Sequence, residues 1–291
     1  MESGFVKSKF QSGSSWSEKS PWTIWSSKIS FSALAAEPLF SLGEFQFTNS
    51  LATGILVTMV IGILAFIVGR KISIVPTGIQ NATEAILELL LGEFDKVTND
   101  RKQTIRFFPI VASLFIFILL NNWIGLLPGV GTVGWVSEHG LIPFLRPATA
   151  DLNLTLALAV FSLVVVQVYS IASIGIGNYF SKFVNLRGLW RAKNKGVVNI
   201  GVAIIEFFVG LLEIISEFAK VASLSLRLFG NVFAGEVLLG VMLSLLSFGL
   251  PLPFVFLEVL VGIIQATVFS MLVLVFLVVG TTSHHDPESA H

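Results

Sequence analysis

The chain has 291 residues, of which 54% are hydrophobic and 12% charged, and its formal net charge is zero. This composition is typical of a polytopic membrane protein and excludes an ordinary soluble domain, while the neutral charge balance gives no basis for binding nucleic acid. The absence of cysteine excludes disulfides, thiol catalysis and Cys-ligated metal sites.

The first part of the chain predicts a tail followed by one membrane span. Residues 1–48 are rich in serine and are interpreted as a tail that lies outside or at the interface. Residues 49–70 are apolar and have the length of one span, about 20 residues. Arg70 and Lys71 follow at once, and the positive-inside rule places this end on the cytoplasmic or matrix side.

Residues 77–97 show the pattern of an amphipathic helix rather than a span. Thr77 and Gln80 follow Pro76 and fit a capping box at the helix start. Apolar and polar side chains then separate onto two faces, with Ile79, Ala82, Ile86 and Leu90 on one and Gln80, Glu84 and Glu88 on the other. We expect this helix to lie on the inner membrane surface.

Two further spans are predicted at residues 107–127 and 151–177, joined by a Gly- and Pro-rich outer loop at 128–150. Pro109 falls in the first turn of the predicted helix, where proline is tolerated. Asp151 and Asn153 stand at the outer start of the next span, partly as helix caps. A basic loop follows, which we place inside; it contains Lys182, Arg187, Arg191, Lys193 and Lys195.

Residues 198–246 contain no proline and predict up to about 49 helical residues, or about 70 Å at 1.5 Å each. Because a bilayer core is about 30 Å thick, this helix must tilt strongly, bend, or break near Gly210 or Gly230. Residues 254–280 form the last helix, on which Glu258 and Gln265 share a face, and residues 281–291 form an inner tail. The predicted fold is an all-α membrane protein with about five membrane helices, a surface helix and a long tilted hairpin at 198–280.

The long helix carries charged side chains that an anchor would not need. Each costs about 2.5–3.5 kcal/mol at bilayer depth on insertion scales, so an ion path is the default interpretation. At about 100° per residue, one polar stripe follows the Arg227 face, and Glu236 lies on the opposite side. The stripe runs from Glu206 to Asn231 and contains Glu206, Glu213, Glu217, Lys220, Ser223, Arg227 and Asn231. This layout predicts two offset paths with a cation between them.

The motifs SLRLFGNVFAGEVL (residues 225–238) and LEVLVGIIQATVFSML (257–272) closely resemble subunit a of the F-type ATP synthase. The resemblance extends upstream to NNWIGLLPG (121–129) and RPATADLNLTLALA (146–159), and it covers residues 40–280. The R-L-F-G-N…E element in a long intramembrane helix is highly specific. Val221 departs from the family, in which proline often follows the lysine, and this affects the local bend at most.

The resemblance implies roles for most of the site residues. Arg227 matches the stator arginine that faces the rotating ring of c subunits, with Gln265 close to it. Asn231 and Glu236 match the outer half-channel, and Glu258 stands where relatives carry His or Glu. On the inner side, Glu213 matches the acid of the other half-channel. The remaining matched polar positions are Lys220 and Ser223 on the long helix, and Asp151 and Asn153 in the outer leaflet.

The residues themselves leave alternatives open at several of these positions. Arg227 can separate the half-channels or snorkel to a helix end, although its place within the segment favours the former. Glu236 and Glu258 can form one proton relay or two separate hydrated carboxylates. Glu217 and Lys220 can line the inner exit or form a structural ion pair at i,i+3.

Two classes of function compete. The first is the static proton-path subunit of a rotary ATP synthase, which performs no bond chemistry and needs no cofactor or metal. The resemblance implies a c-subunit ring, the peripheral stalk subunit b and the rest of the complex as partners, in a lipid bilayer. H⁺ is the expected ion, with Na⁺ left open, and a bacterial plasma membrane is favoured over the mitochondrial inner membrane. The second is a self-contained secondary transporter, which is less favoured because the chain shows no internal repeat.

Overall fold

The computed structural model describes residues 38–42, 45–70, 73, 75–76, 78–127, 130, 134–137, 140–143, 145–177, 179, 197–245 and 251–282. The predictions for most of the N-terminal tail, for the basic loop at 182–195 and for the C-terminal tail lie outside these residues. The longer helices of the described part are α1 (Asn49–Arg70), α2 (Ile79–Thr98), α3 (Arg101–Ile124), α4 (Leu152–Ile174), α5 (Val197–Leu245) and α6 (Pro251–Thr281).

Five of these helices are long and apolar enough to cross a membrane, judged by length and composition. They are α1, α3, α4, α6 and, within α5, the stretch Phe208–Met242. The remaining helix, α2, is amphipathic and packs its apolar face against α3, where the Phe94 and Phe108 rings meet edge to face at 5.8 Å. The predicted class, an all-α membrane protein with about five spans and an amphipathic helix, is therefore confirmed.

The start of α2 differs from the predicted capping box. Gly78 occupies the N-cap position with φ 58°, and no side chain among the described residues caps the helix. The Gln80 amide instead donates to the Ser73 carbonyl at 3.0 Å and to Glu84 Oε1 at 2.7 Å. The capping-box prediction was wrong because the preceding segment folds back and takes the glutamine as its own partner. Thr77 lies outside the described residues.

The start of α3 also corrects a prediction. Asp100 caps the helix by accepting from the Lys102 backbone N–H at 2.9 Å, so the helix begins at Arg101. Pro109 is therefore inside the helix rather than in its first turn. The sequence pattern missed this because the first turns of α3 carry polar residues that look like a loop.

Helices α5 and α6 form a long antiparallel pair. Contacts between them join Asn231 to Gln265 and, further along, Lys220 to Phe276, so residue numbers rise on one helix as they fall on the other. The 49 residues of α5 form one uninterrupted helix. A break near Gly210 or Gly230 is therefore excluded. A helix of this length measures about 74 Å, more than a bilayer core.

The hydrophobic core lies where α3 packs against α6. Fully buried side chains include Phe107, Val111 and Ile118 on α3, and Phe269 and Leu274 on α6. The other faces of the spans carry exposed apolar side chains, as expected where lipid is the solvent. The α3–α6 packing fixes α6, and with it the side chains that α6 presents to α5.

Short elements occupy stretches that the sequence predicted as tail and loop. Strands β1 (Pro38–Leu42) and β2 (Phe45–Thr48) pair antiparallel, as do β3 (Gly134–Ser137) and β4 (Gly140–Pro143). A 3-10 turn, Ala148–Ala150, is completely buried at its two alanines and at Thr149. The turn packs against α1, α3, α4 and α5. The residues just before the turn are therefore held against these helices.

Candidate ion path

A cavity of about 470 Å³ lies between the end of α3, residues 145–147, α5 and the first half of α6. Most of its lining is apolar, and a few polar side chains converge on it. These polar side chains are Asn122, Arg146, Asn231, Glu236, Glu258 and Gln265. The cavity therefore brings together four residues predicted from the sequence, namely Asn231, Glu236, Glu258 and Gln265.

Arg146 is a charged cavity residue that sequence reasoning did not single out. Its Nη2 lies 3.2 Å from Glu236 Oε2, and the two form an ion pair across 90 residues of chain. Its side chain is 5% exposed, against 30% for that of Glu236. Arg146 belongs to the motif at 146–159, but it stands outside any helix, so no helical periodicity marked it. A charged residue directly before a Pro–Ala turn was the available signal.

Glu258 occupies the α6 side of the cavity. Its carboxylate lies against the α5 backbone at Gly235, where a Cβ would overlap it. No hydrogen bond or ion pair joins this carboxylate to another residue in the described part of the chain. Glu236 and Glu258 thus share a cavity but differ in their surroundings.

Asn231 and Gln265 join α5 to α6 within the cavity lining. The Asn231 Nδ2 donates to Gln265 Oε1 at 2.6 Å. Gln265 is 4% exposed, and its Nε2 has no hydrogen-bond partner among the described residues. A buried amide with a spare donor is costly unless water or another chain completes it.

Arg227 lies on the outer face of α5 and is exposed. Its Nη2 donates to Ser223 Oγ at 3.4 Å, one helical turn away. Among the described residues it forms no ion pair. Neighbouring Leu226 is 58% exposed, so the arginine stands on an apolar face that the bundle leaves uncovered.

A second polar group lies on the other side of Arg227, where α5 meets the end of α6. Lys220 Nζ pairs with Glu217 Oε1 at 2.8 Å and lies 5.1 Å from the Phe276 ring centroid. Both charged side chains are largely buried. The i,i+3 ion pair considered from the sequence is therefore present. Glu213, one turn earlier, is partly buried.

Tyr179, just beyond the end of α4, extends this second group. Its hydroxyl donates to Gln167 Oε1 at 2.5 Å. Burial raises the pKa of Tyr179, and the negative charges of Glu217 and Glu213 raise it further. The hydroxyl is therefore a neutral donor near both acids.

Asp151 and Asn153 lie apart from the cavity lining. Asp151 is the N-cap of α4 and accepts from the Asn153 backbone N–H at 2.9 Å, as the capping prediction required. Asp151 is 5% exposed, whereas the Asn153 side chain is exposed. The hydrogen bond between Asp151 and Asn153 is the one expected at the N-terminus of a helix.

The two polar groups are offset along α5, with Arg227 between them. Lys220 precedes Arg227 by about 10 Å of helix rise, and Glu236 follows it by about 14 Å. The cavity lies at the C-terminal end of α3 and the N-terminal half of α6, whereas the second group adjoins the C-terminal end of α6. Fold and site together define a multi-pass helical membrane protein with polar groups on either side of an exposed intramembrane arginine.

Comparison with known proteins gives the family. The family described as ATP synthase A chain matches residues 51–278. The chain belongs to this family, which confirms the resemblance seen in its motifs.

Individual relatives agree with this assignment. ATP synthase subunit a of Moorella thermoacetica is 30% identical over 239 residues, which cover 82% of this chain and 93% of the relative. ATP synthase subunit a of Campylobacter jejuni subsp. doylei is 31% identical over 226 residues, covering 78% and 87%. ATP synthase subunit a 2 of a Bradyrhizobium species is 27% identical over 246 residues, covering 84% and 94%.

Proposed function

We propose that this chain is the stationary proton-conducting subunit of a rotary ATP synthase. Two offset half-channels lead to and from the carboxylates of a rotating ring of c subunits. The observation that carries the proposal is the setting of Arg227. It is exposed on an apolar helix face, has no acidic partner among the described residues, and lies between two polar groups.

The outer half-channel is the cavity between α3, α5 and α6. Its carboxylates, Glu236 and Glu258, are hydrophilic enough to hold water in a largely apolar lining. Asn231 and Gln265 line this cavity, and Asn231 stands about one helical turn from Arg227 on α5. A proton that enters between α3 and α6 reaches the ring at this point.

The inner half-channel is the polar group around Glu213, Glu217, Lys220 and Tyr179. Of the two acids Glu213 and Glu217, Glu213 lies nearer the inner end, and the Glu217–Lys220 pair fixes two opposite charges at the wall of the exit. A proton released from the ring beyond Arg227 leaves along this group. Ser223, one turn from both Arg227 and Lys220, adjoins the transition between them.

Arg227 keeps the two proton paths separate and drives the exchange of protons with the ring carboxylates. Its guanidinium stays protonated at any relevant pH, so a proton does not pass it easily. It also attracts an ionised carboxylate of a passing ring subunit, by about 4 kcal/mol at 4 Å and an effective dielectric near 20. That energy favours deprotonation of the ring acid opposite Arg227 and remains small enough for rotation to break the contact.

The proposed role implies which subunits the chain contacts and in which membrane it lies. The uncovered face of α5 around Arg227 is the contact surface for the c ring, and peripheral stalk subunit b and the remaining complex hold the chain against rotation. The multi-pass helices span a membrane, for which we propose the bacterial plasma membrane. The Arg70 end of α1 then faces the cytoplasm.

An affinity-tagged chain distinguishes this proposal from a self-contained transporter. The tagged chain, purified in mild detergent, should retain an oligomeric ring and stalk subunits. Reconstituted alone in liposomes, it should carry no uphill ion flux. A chain that purifies alone and accumulates an ion against its gradient in liposomes would overturn the proposal.

A further inference from the structure

We infer that Trp123 is a positioning residue whose indole, seated against Gly262 and bonded to the Val259 carbonyl, sets the rotation and height of the N-terminal half of α6. The inference rests on the proposed function and deepens it, because this half of α6 carries Glu258 and Gln265 into the cavity. It gives a use to the NNWIG stretch at residues 121–125, which the proposed proton paths leave largely unexplained.

The contact between Trp123 and Gly262 joins α3 to α6 through a glycine notch. Gly262 is buried, and a Cβ on it would lie 3.3 Å from both Cδ1 and Nε1 of the indole. Because residue 262 has no side chain, the edge of the ring rests on the α6 backbone, as small residues allow between membrane helices. The indole Nε1 also donates to the Val259 carbonyl at 3.3 Å. One rigid side chain thus contacts α6 at two levels.

The notch lies on the face of α6 that serves the cavity. Glu258, Gly262 and Gln265 follow one another at intervals of four and three residues, so they share one face of the helix. A slip of α6 by one residue would turn that face by about 100° and shift it by about 1.5 Å. Such a slip would break the 2.6 Å hydrogen bond from Asn231 to Gln265 and move Glu258 away from Gly235. Holding the notch in place therefore fixes both contacts between α5 and α6.

Burial alone holds the N-terminal half of α6 weakly. None of residues 252–261, all of which the structure describes, is buried. Several of their apolar side chains are largely exposed, namely Leu252, Phe256, Leu257 and Leu260. The buried face of α6 begins at Gly262 and continues toward the C-terminal end, where the packing is apolar and non-directional. Trp123 adds a directional contact at the point where this burial begins.

The end of α3 that carries Trp123 is itself braced. Asn122 Oδ1 accepts from Thr149 Oγ1 at 2.9 Å, which ties α3 to the buried 3-10 turn. Gly125, just after the helix, lies so close to Pro147 that a Cβ on Gly125 would overlap the proline ring. These contacts keep the indole from following α6 if that helix turns, so Trp123 acts as a fixed stop.

Paired cysteines can report the alignment of α5 and α6 in the whole ATP synthase, because the chain has no cysteine of its own. The pair N231C/Q265C marks the level of the cavity, and the pair K220C/F276C marks the level of Lys220 near the C-terminal end of α6. A short bis-methanethiosulfonate reagent links each pair, and the cross-link yield is measured in inverted membrane vesicles. Coupling is measured without these cysteines, as protons pumped per ATP hydrolysed.

The variants disrupt the notch from either side. W123L removes the ring and its N–H, whereas G262A pushes a methyl group against the braced indole. F161L and G62A are matched controls, because Phe161 is exposed on α4 and a Cβ on Gly62 would meet nothing within 4 Å. We expect both controls to stay within about 20% of the wild-type cross-link yields and coupling.

The expected pattern is a loss confined to the cavity level. W123L and G262A should each lower the N231C/Q265C yield about fivefold, and coupling by a similar factor, since each disrupts an interhelical contact. The K220C/F276C yield should stay within about 20%, because apolar packing holds that end of α6. The double variant W123L/G262A should be impaired about fivefold rather than about twenty-five-fold, because both changes disrupt one contact.

A gentler change separates the hydrogen bond from the shape of the ring. Replacing Trp123 by benzothienylalanine keeps the bicyclic shape and removes the N–H donor, so the complex should assemble as the wild type does. We expect the N231C/Q265C yield to fall about threefold in this complex. A full yield here would overturn the role of the hydrogen bond even if W123L assembled too poorly to be assayed.

Several results would contradict the inference. They are an unchanged N231C/Q265C yield in W123L, an equal fall at both cysteine pairs, normal coupling despite a lost cross-link, and multiplicative effects in the double variant. R227A is assayed in the same vesicles to separate the inference from the proposed function. Pumping in R227A would sink the proposed function, whereas a silent R227A beside an unchanged cross-link in W123L would sink only the positioning role.

Discussion

The Glu258 carboxylate on α6 lies directly against the backbone of Gly235 on α5, at the place where a Cβ on residue 235 would overlap it. This close approach is possible only because residue 235 has no side chain. It sets how near the acid of one helix stands to the other helix, and so it shapes the cavity wall between α5 and α6.

The substitution Gly235→Ala should therefore impair proton transport although it favours the helix. Alanine is better than glycine in a helix by about 1 kcal/mol, but the added methyl group must displace Glu258. We expect ATP-driven pumping to fall about tenfold, equivalent to about 1.4 kcal/mol in the rate-limiting barrier. Gly62→Ala on α1 is the matched control, since its Cβ would meet nothing within 4 Å. Equal pumping by G235A and G62A would show that the contact is unimportant.

The Asn231–Gln265 hydrogen bond should appear as an energetic coupling between α5 and α6. Interhelical hydrogen bonds in membranes contribute about 0.6 kcal/mol on average and up to about 1.7. Pumping rates of the wild type, N231A, Q265A and the double variant form a thermodynamic cycle. We expect the double variant to be less impaired than the product of the single effects. Strictly multiplicative effects would mean that the two amides act independently.

Tyr179 provides a pH-dependent signal outside the membrane-spanning helices. The chain has two tyrosines, Tyr169 and Tyr179. We therefore compare absorbance titrations of tyrosinate in two detergent-solubilised complexes, one carrying Y169F and the other carrying Y169F and Y179F. The difference between the two titrations reports the ionisation of Tyr179. Its pKa is raised, first by burial and then by Glu217 and Glu213, so it should ionise above pH 10, the ordinary tyrosine value.

The sign of the accompanying stability effect follows from the same shift. The folded protein binds this proton more tightly than the unfolded chain, so the contribution of Tyr179 is present below pH 10 and is lost as the pH rises further. The substitution E217Q should lower the pKa of Tyr179 by removing one negative charge. A Tyr179 titration unaffected by E217Q would show that the two groups do not interact.

The sequence predicts the helices well because lipid imposes a simple requirement. A span must satisfy its own backbone and remain apolar for about 20 residues, and α1, α4 and α6 are recognisable from that alone. The start of α3 is harder to predict from the sequence, because it depends on a single capping side chain, Asp100, ahead of a polar turn. The prediction that Pro109 belonged to a first turn failed for this reason.

The candidate site is only partly readable from the sequence. The 100° spacing along α5 places Arg227, Ser223 and Asn231 near one face, since that depends on local helix geometry alone. The approach of Arg146 to Glu236 depends on how a loop packs against several helices, which no local pattern encodes. The close contact at Gly235 likewise arises from the packing of α5 on α6.

The central claim is that Arg227 is a fixed cation that separates two proton paths and exchanges charge with a moving ring. Its most direct test is ATP-driven proton pumping by the assembled complex carrying Arg227→Ala, in inverted vesicles whose ATP hydrolysis is measured in parallel. Removing an attraction of about 4 kcal/mol should reduce coupled pumping by about a thousandfold, which is background in this assay. Pumping at the wild-type rate by assembled R227A complex would contradict the account.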